Sequence, residues 1–483
     1  MNTVKLLIDG QKRDAVDQKT FTRMNPITGE VATVAAAAQP ADVQAALESA
    51  EKAFQTWSKL GPTERRKRLL KAADLMDQRA EEFVLTARQE TGSTNSWYGF
   101  NVHLSANILR EAAAMTTQID GSIIPSDLPG NLSMGFRVPC GVILSIAPWN
   151  APVILATRAI AMPLACGNTV ILKASELCPA THTLIGEVLN DAGIGEGVVN
   201  VITNAPEDAA TVVEQLIAHP AVKRVNFTGS TKVGRIIAGT ASKYLKPVLL
   251  ELGGKAPVIV CEDADLDQAV DGVAFGAFFN QGQICMSTER LIVSEKIADE
   301  FLEKLVAKIK RIKVGSPDLE DTTFAYLESE QSVKRITALI DDAVAKGATL
   351  PVPLQTDGAL MHPLVVNGIT SEMKLYAEES FGPVVTMTTF SSEDEAIRLA
   401  NDTVYGLSSA VFTQNLNKGL DIAKQIDSGI CHINGPTVHD EAQAPFGGSK
   451  DSGYGRFGSK SAINEFTELR WVTIQTTPRQ YPL

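Results

Sequence analysis

The sequence lacks paired cysteines. Its six, Cys140, Cys166, Cys178, Cys261, Cys285 and Cys431, are scattered and form no CxxC motif. That spacing excludes a disulfide framework and a zinc ribbon, and it suits a reducing, cytoplasmic setting. The histidines show no metal-ligand spacing, so no metal is expected. Long basic tracts are also missing: 44 basic against 56 acidic side chains give a formal charge of −12. Nucleic acid is therefore an unsuitable partner, because phosphate affinity needs clustered Lys and Arg. The one short basic run, Arg65-Arg66-Lys67-Arg68, follows Pro62 and Thr63 in a helical pattern and reads as a solvated helix face. Met1 to Arg13 is charged and has no apolar core of the kind a secretory signal needs. Only Cys140 to Thr157 runs uncharged for long, and Pro148, Asn150 and Pro152 interrupt it. A buried strand followed by a loop fits it better than a membrane span. Neither a P-loop nor GxSxG occurs, which removes support for Walker-type phosphoryl transfer and for a serine nucleophile elbow.

What is present is an ordinary globular composition, 44% hydrophobic and 21% charged, over 483 residues. At roughly 150 residues per domain this length suggests about three units. Residues 41–60 and 63–91 have the three- and four-residue apolar spacing of helices. From Val142 the pattern alternates between short β-branched runs (142–146, 169–173, 198–203, 224–228, 247–250) and helical stretches, which predicts βαβ units around a parallel sheet buried on both faces. A second α/β series begins near Ala256. Residues 132–138 and 471–475 alternate with period two and read as exposed strands that need a partner, which points to oligomerisation. Gly453-Tyr454-Gly455-Arg456-Phe457-Gly458 matches the dinucleotide fingerprint GxGxxG. No apolar strand precedes it and no acidic residue follows at the required distance, so a glycine-rich turn is expected there.

Three short segments bear chemistry. Asn280-Gln281-Gly282-Gln283-Ile284-Cys285 places a thiol after a polar turn, which suits either a presented nucleophile or a buried structural cysteine. Leu249-Leu250-Glu251-Leu252-Gly253-Gly254-Lys255 ends an apolar strand on a carboxylate. Desolvation there makes a general base, and a cap or an ion pair is the other reading. Pro148-Trp149-Asn150 offers a side-chain amide, either an oxyanion donor or a simple turn residue.

These segments, together with Lys173-Ala174-Ser175-Glu176, Phe227-Thr228-Gly229-Ser230 with Gly234, and Glu378-Glu379-Ser380-Phe381-Gly382-Pro383-Val384, resemble the aldehyde dehydrogenase superfamily in order and spacing over essentially the whole chain. The resemblance implies an α/β fold: a Rossmann-type NAD-binding domain at 1–117 and 140–251, a catalytic domain at 252–448, and an oligomerisation arm at 118–139 and 465–483. A homodimer or homotetramer is implied. So is NAD-dependent oxidation of an aldehyde to an acid, with Cys285 as nucleophile, Asn150 as oxyanion donor and Glu251 as the base that activates water. Glu251 also separates the chain from the acyl-CoA-forming branch, which generally lacks this base. Lys173 and Glu176 match the adenosine-ribose ligands, and a carboxylate there favours NAD over NADP because it repels a 2′-phosphate. Gly229 and Ser230 match the pyrophosphate turn, with an N-cap as the other reading of Ser230. Glu379 and Phe381 match the nicotinamide-ribose contacts, while Ile146, Pro148, Trp149, Ser175 and Leu252 complete the cofactor positions. Ala174 and Phe457 depart from the residues usual in the family, proline and glutamate.

For substrate, Trp97 to His103, Asn280 to Arg290 and His432 through Gly448 are similar to the branch that oxidises benzaldehydes. Ala151, Ile154, Leu155, Phe279, Ile284, Met286 and Phe446 are then expected to line an apolar slot for a small aromatic aldehyde, with plain core as the alternative for each. Arg158 is either the cation that meets a phenolic oxygen or the partner of a buried carboxylate. Aliphatic aldehydes, and a non-catalytic protein of the same fold, are the competing readings.

Overall fold

Strands without an exposed face set the first sheet. In Val142–Ile146, Thr169–Lys173 and Val199–Ile202 every residue is buried, so helices must cover both sides. In this computed structural model, which describes residues 1–319 and 321–482, they pair in parallel with Val222–Thr228 and Val248–Glu251. Val142–Ile146 precedes the other four in the chain yet lies at their centre: Thr169–Lys173 and Val199–Ile202 follow on one side, Val222–Thr228 and Val248–Glu251 on the other. The chain thus reverses direction across the sheet between Val142–Ile146 and Val222–Thr228. The crevice beyond the carboxyl ends of two such strands is where open parallel sheets take ligands.

Both edges of this sheet are antiparallel. Leu6–Ile8 hairpins with Gln11–Arg13 at one end, and Gly453–Tyr454 pairs with Leu250 and Glu251 at the other. The glycine-rich segment therefore begins as an edge strand and not wholly as a turn. Two helical expectations also shift. The span 63–91 is two helices, Pro62–Gln78 and Ala80–Thr91, divided at Arg79 where ψ leaves the helical range. Within the first of them Arg65 is buried and donates from Nε to the Ala165 carbonyl at 3.1 Å. The basic run thus turns one guanidinium inward to satisfy the last carbonyls of Pro152–Ala165, an acceptor no local pattern reveals.

A second sheet has six parallel strands, in the order Leu364–Asn367, Val384–Phe390, Thr288–Ser294, Ala256–Val260, Ser408–Phe412 and Ile430–Ile433. A third is antiparallel: Ser122–Ile124, Asn131–Pro139 and Thr467–Gln475, the last two in register along their whole length. The two period-two segments therefore find each other, and Leu469 and Trp471 remain exposed on the outside. Among the described residues, no helix is long and apolar enough to cross a membrane.

Lys255 and Glu289 form a fully buried ion pair where the link from the first sheet enters the second. Glu289 Oε1 also accepts from the backbone N–H groups of Ser380 and Phe381, both at 3.0 Å. One carboxylate thereby ties the start of Thr288–Ser294 to the loop before Val384–Phe390. Removing one member of such a pair leaves a buried charge uncompensated, at a cost of about 3–5 kcal/mol. Glu289→Gln is expected to lower the melting temperature by several degrees in calorimetry. Exchanging both partners together for apolar side chains, as Lys255→Met with Glu289→Leu, should recover part of the loss.

Candidate active site

The loop that carries Cys285 is built against conformational preference. After the helix Leu266–Phe278, Asn280 (φ 48°) and Gln281 (φ 56°) both lie in the left-handed region, followed by Gly282 (φ 70°). A non-glycine residue there costs about 1–2 kcal/mol. Side chains hold the two in place: Asn280 Nδ2 donates to the Asn150 carbonyl at 3.0 Å, and Ser93 Oγ donates to Gln281 Oε1 at 3.0 Å. Two glycines then let backbone meet backbone. A Cβ on Gly282 would collide with the Gly382 carbonyl oxygen, and one on Gly254 with that of Cys285.

So placed, Cys285 faces a cavity of about 290 Å³ at the switch point. Pro148, Trp149 and Asn150 line it from the end of Val142–Ile146, Gly229 and Ser230 from the end of Val222–Thr228, and Leu252 and Gly253 from beyond Glu251. Glu379 and Phe381 close it from the second sheet. Asn150 is fixed at two atoms: Nδ2 donates to the Gln283 carbonyl at 2.9 Å, while its own backbone carbonyl accepts from Trp97 Nε1 and Asn280 Nδ2, each at 3.0 Å. Nδ2 keeps a second proton for a ligand. The rings of Trp149 and Phe381 stand 5.9 Å apart at 80°. Arg335 donates from Nη2 to the Ser380 carbonyl at 2.6 Å and steadies the same wall.

The carboxyl groups around the cavity are held away from their ordinary titration. Burial pushes Glu251 up to about 8, against the opposing pull of Arg158 and Arg456. Neither of its oxygens has a hydrogen-bond partner, an arrangement that costs stability and recurs where a group must be free to react. Glu379 rises to about 7 through burial and the neighbouring charge of Glu289, although its Oε1 accepts from Gly254 N–H at 2.9 Å. The Cys285 thiol is raised well above its usual range by burial and then by the charges of Glu251 and Glu379.

Other expected positions lie further out. Lys173 and Glu176 are ion-paired beyond the end of Thr169–Lys173, and Asn204 Nδ2 donates to Glu176 Oε1 at 3.1 Å. Ser175 and Ile146 are buried beside them at their strand ends. Ser230 caps the helix Thr231–Lys243, its Oγ accepting from Val233 N–H at 3.4 Å, and it also lines the cavity. Leu155 lines the cavity as well. Ala151, Ile154, Ile284, Met286 and Phe446 share one buried apolar cluster, with Phe279 packed at its margin. Phe279 stacks on Phe275 at 4.7 Å and meets Trp97 edge-on at 5.0 Å. Arg158 is not a free cation. Its Nη2 is ion-paired with Asp440 in a buried setting, and its guanidinium lies 4.3 Å over the Phe446 ring. Of its two readings, the partner of a buried carboxylate is the one that matches this geometry.

The sequence profile of the aldehyde dehydrogenase family matches residues 13–472. The chain belongs to this family. It is 58% identical to vanillin dehydrogenase of Pseudomonas fluorescens over 483 residues, 100% of both chains. It is 48% identical to salicylaldehyde dehydrogenase of Pseudomonas putida, over 99% of each chain. Its fold matches the crystal structure of a salicylaldehyde dehydrogenase from Pseudomonas putida G7 complexed with salicylaldehyde at a TM-score of 0.98, with 48% identity and 100% of each chain covered. A betaine aldehyde dehydrogenase from Staphylococcus aureus in complex with NAD+ matches at a TM-score of 0.95 and 31% identity, over 99% of this chain and 96% of that one.

Membership in the aldehyde dehydrogenase family agrees with the order of motifs. The segments that carry the resemblance include Trp97, Glu289 and Asp440 without giving any of them a role and omit Asn204 and Arg335; all five hold or flank the site residues through contacts distant in sequence. Asp440 alone had a signal: a buried arginine at 158 demands an anion, but nothing local says which.

Glu251 links the site to stability. Its carboxyl is raised on folding, so its contribution is fully present below its unfolded value near 4.5 and is lost as pH rises through about 8. The wild-type protein should therefore melt lower at pH 9 than at pH 6, and Glu251→Gln, which has no proton to lose, should flatten that difference in thermal scans.

Proposed function

We propose that the chain oxidises ring-hydroxylated benzaldehydes to carboxylic acids with NAD, in the breakdown of aromatic compounds. The observation that carries this reading is a thiol and an amide with a free proton lining one cavity, with the charge of the unpartnered Glu251 carboxyl felt at the thiol. Trp97, packed among the Phe100 and Phe279 rings, is hydrogen-bonded to the Asn150 carbonyl. The relatives named for vanillin and salicylaldehyde supply the substrate class.

The residues fit the cofactor. Helix Thr231–Lys243 opens at the cavity behind Gly229 and Ser230, and first-turn amides at a helix N-terminus suit a pyrophosphate. Trp149 and Phe381 present aromatic faces, and Glu379 a carboxylate whose oxygens suit ribose hydroxyls. Glu176, held by Lys173 and Asn204, favours a ribose with free hydroxyls over one bearing a phosphate. NAD supplies, when bound, the acceptor for the hydride that leaves the substrate carbon.

The chain's own residues do the rest. The Cys285 thiol gives up its proton to water, Sγ adds to the carbonyl carbon, and Asn150 Nδ2 with the Cys285 backbone N–H receives the developing oxyanion, an interaction worth about 10²–10³ in rate. Loss of hydride leaves a thioester on Cys285. Glu251 then takes a proton from water, whose oxygen attacks the thioester and releases the acid and the thiol. With its carboxyl near 8, Glu251 is mostly protonated at neutral pH and gains capacity as a base as pH rises. Six unpaired thiols fit a cytoplasmic setting, and the exposed face of Thr467–Gln475 fits assembly as a dimer or tetramer.

Comparing kcat/KM for salicylaldehyde, 4-hydroxybenzaldehyde, vanillin and hexanal tests the substrate. At least one benzaldehyde should lead hexanal by about tenfold or more, and hexanal in front overturns the reading. For Glu251→Gln, stopped-flow traces should keep the first-turnover burst of NADH while the steady rate falls by about 10²-fold or more. Equal loss of both phases removes Glu251 from the deacylating step.

A further inference from the structure

Asp440 carries an atom the proposed mechanism leaves unused. One carboxylate oxygen is ion-paired with Arg158 Nη2; the other, Oδ1, is buried and has no hydrogen-bond partner. The side chain is only 9% exposed. Leaving a buried acceptor unpaired costs about 1–3 kcal/mol, more where the group is charged. An apolar side chain in place of each partner removes that cost, as buried ion pairs elsewhere tolerate. Retention of the pair makes sense if a visiting donor meets the free oxygen.

The surroundings say what the donor is. Asp440 lines a cavity of about 470 Å³ together with Phe100, Leu104 and Ala442 on one hand and the polar His103, Asn107, Arg110, Glu111, Glu441 and Gln443 on the other. Phe100 stacks on Trp97 at 5.9 Å and meets Phe279 at 6.2 Å, and Trp97 in turn holds Asn150. An aromatic wall thus runs from Asp440 to the proposed oxyanion donor. The charges of Arg158 and Asp440 are both felt at Glu251 and at Cys285, which puts the pair near the reacting groups. Opposite Asp440, Arg158 is held between that carboxylate and the Phe446 ring, so its charge is already balanced. Among these side chains Asp440 sets a buried acceptor without a proton beside the Phe100 ring.

We propose that Asp440 Oδ1 accepts the hydrogen bond of a ring hydroxyl on the aldehyde, and that the Arg158–Asp440 pair thereby selects phenolic benzaldehydes over unsubstituted or O-methylated ones. The proposal rests on the aromatic reading given above. It adds a residue that tells hydroxyl from ether. A site built to hydrogen-bond a hydroxyl discriminates against the analogue lacking it far more strongly than an apolar pocket does, because the protein group is left unpaired.

The test measures kcat/KM for the three hydroxybenzaldehyde isomers, their methyl ethers, benzaldehyde and hexanal. In the wild type at least one isomer should exceed its ether by about tenfold or more. In Asp440→Asn, Arg158 takes the amide oxygen and leaves N–H groups where the acceptor stood. That ratio should then fall by about fivefold or more, and the loss for the hydroxy isomer should exceed that for benzaldehyde by a similar factor. Arg158→Met with Asp440→Leu, which substitutes apolar groups for the pair, should also abolish the preference and serves if the single variant fails to fold. A hydroxyl preference that survives in a folded variant, or an equal loss for every aldehyde, overturns the role of Asp440 while leaving the aromatic reading intact. Hexanal ahead of the benzaldehydes in the wild type overturns both.

Discussion

Backbone packed directly on backbone is the constraint from which the site follows. Cys285 lies on a loop whose carbonyl comes so close to Gly254 that no β-carbon fits between them, and whose turn at Gly282 abuts Gly382 in the same way. Gly254 follows Glu251 by three residues, and Gly382 follows Glu379 by three. The close approaches therefore seat the thiol against the two chain segments that carry the carboxylates. The left-handed pair Asn280 and Gln281 is strain accepted to make that approach, and it is held by hydrogen bonds to the Asn150 carbonyl and to Ser93. Asn280 thus joins the thiol loop to the amide on which the proposed oxyanion would rest.

Around this junction the charges are arranged in buried groups of unequal satisfaction. Glu289 is fully occupied by Lys255 and two backbone amides, and it serves as scaffold. Glu379 has one amide partner, and Glu251 has none. The two carboxyls whose charge weighs most on the thiol, Glu251 and Glu379, are both raised. A group that spends its hydrogen bonds on the fold is inert. One left unpaired in a dry site is costly and reactive. Asp440 sits between these extremes, one oxygen committed and one free.

Much of the fold was legible because parallel strands buried on both faces read as short β-branched apolar runs alternating with longer helical stretches. The strands at 142–146 and 169–173 match expectation to the residue. Pairing of 131–139 with 467–475 follows the family resemblance, which puts both in one arm; period two alone marks an exposed face without naming its mate. Arg65 misled because its acceptor, the Ala165 carbonyl, lies 100 residues away. In the site, motif order located several residues that line the cavity, among them Pro148 to Asn150, Gly229 and Ser230, and Leu252 and Gly253, each just past a strand end. The partners that fix them were not legible. Glu289, Arg335 and Asp440 act through contacts made only when separate segments meet, and no local spacing encodes those.

Acidity alone does not separate the six thiols. Burial raises Cys140 and Cys261 to about 11 and Cys166 to about 12, lifts Cys178 well above its usual range, and raises Cys431 too. Cys285 is raised in the same direction, so a search for the most acidic thiol finds no nucleophile. Position separates them. Cys285 is the thiol that lines the cavity between Asn150 and Glu379, and the charges of Asp440 and, above all, of Glu251 and Glu379 contribute to its shift. The contributions of Glu251 and Glu379 vanish when these carboxyls are protonated, as their own raised values favour at neutral pH. A cationic ligand group entering the cavity pushes the thiol the other way, toward the thiolate. On the proposed mechanism, activation of Cys285 is therefore coupled to what occupies the cleft, which limits adventitious reaction of the thiol before substrate and cofactor arrive.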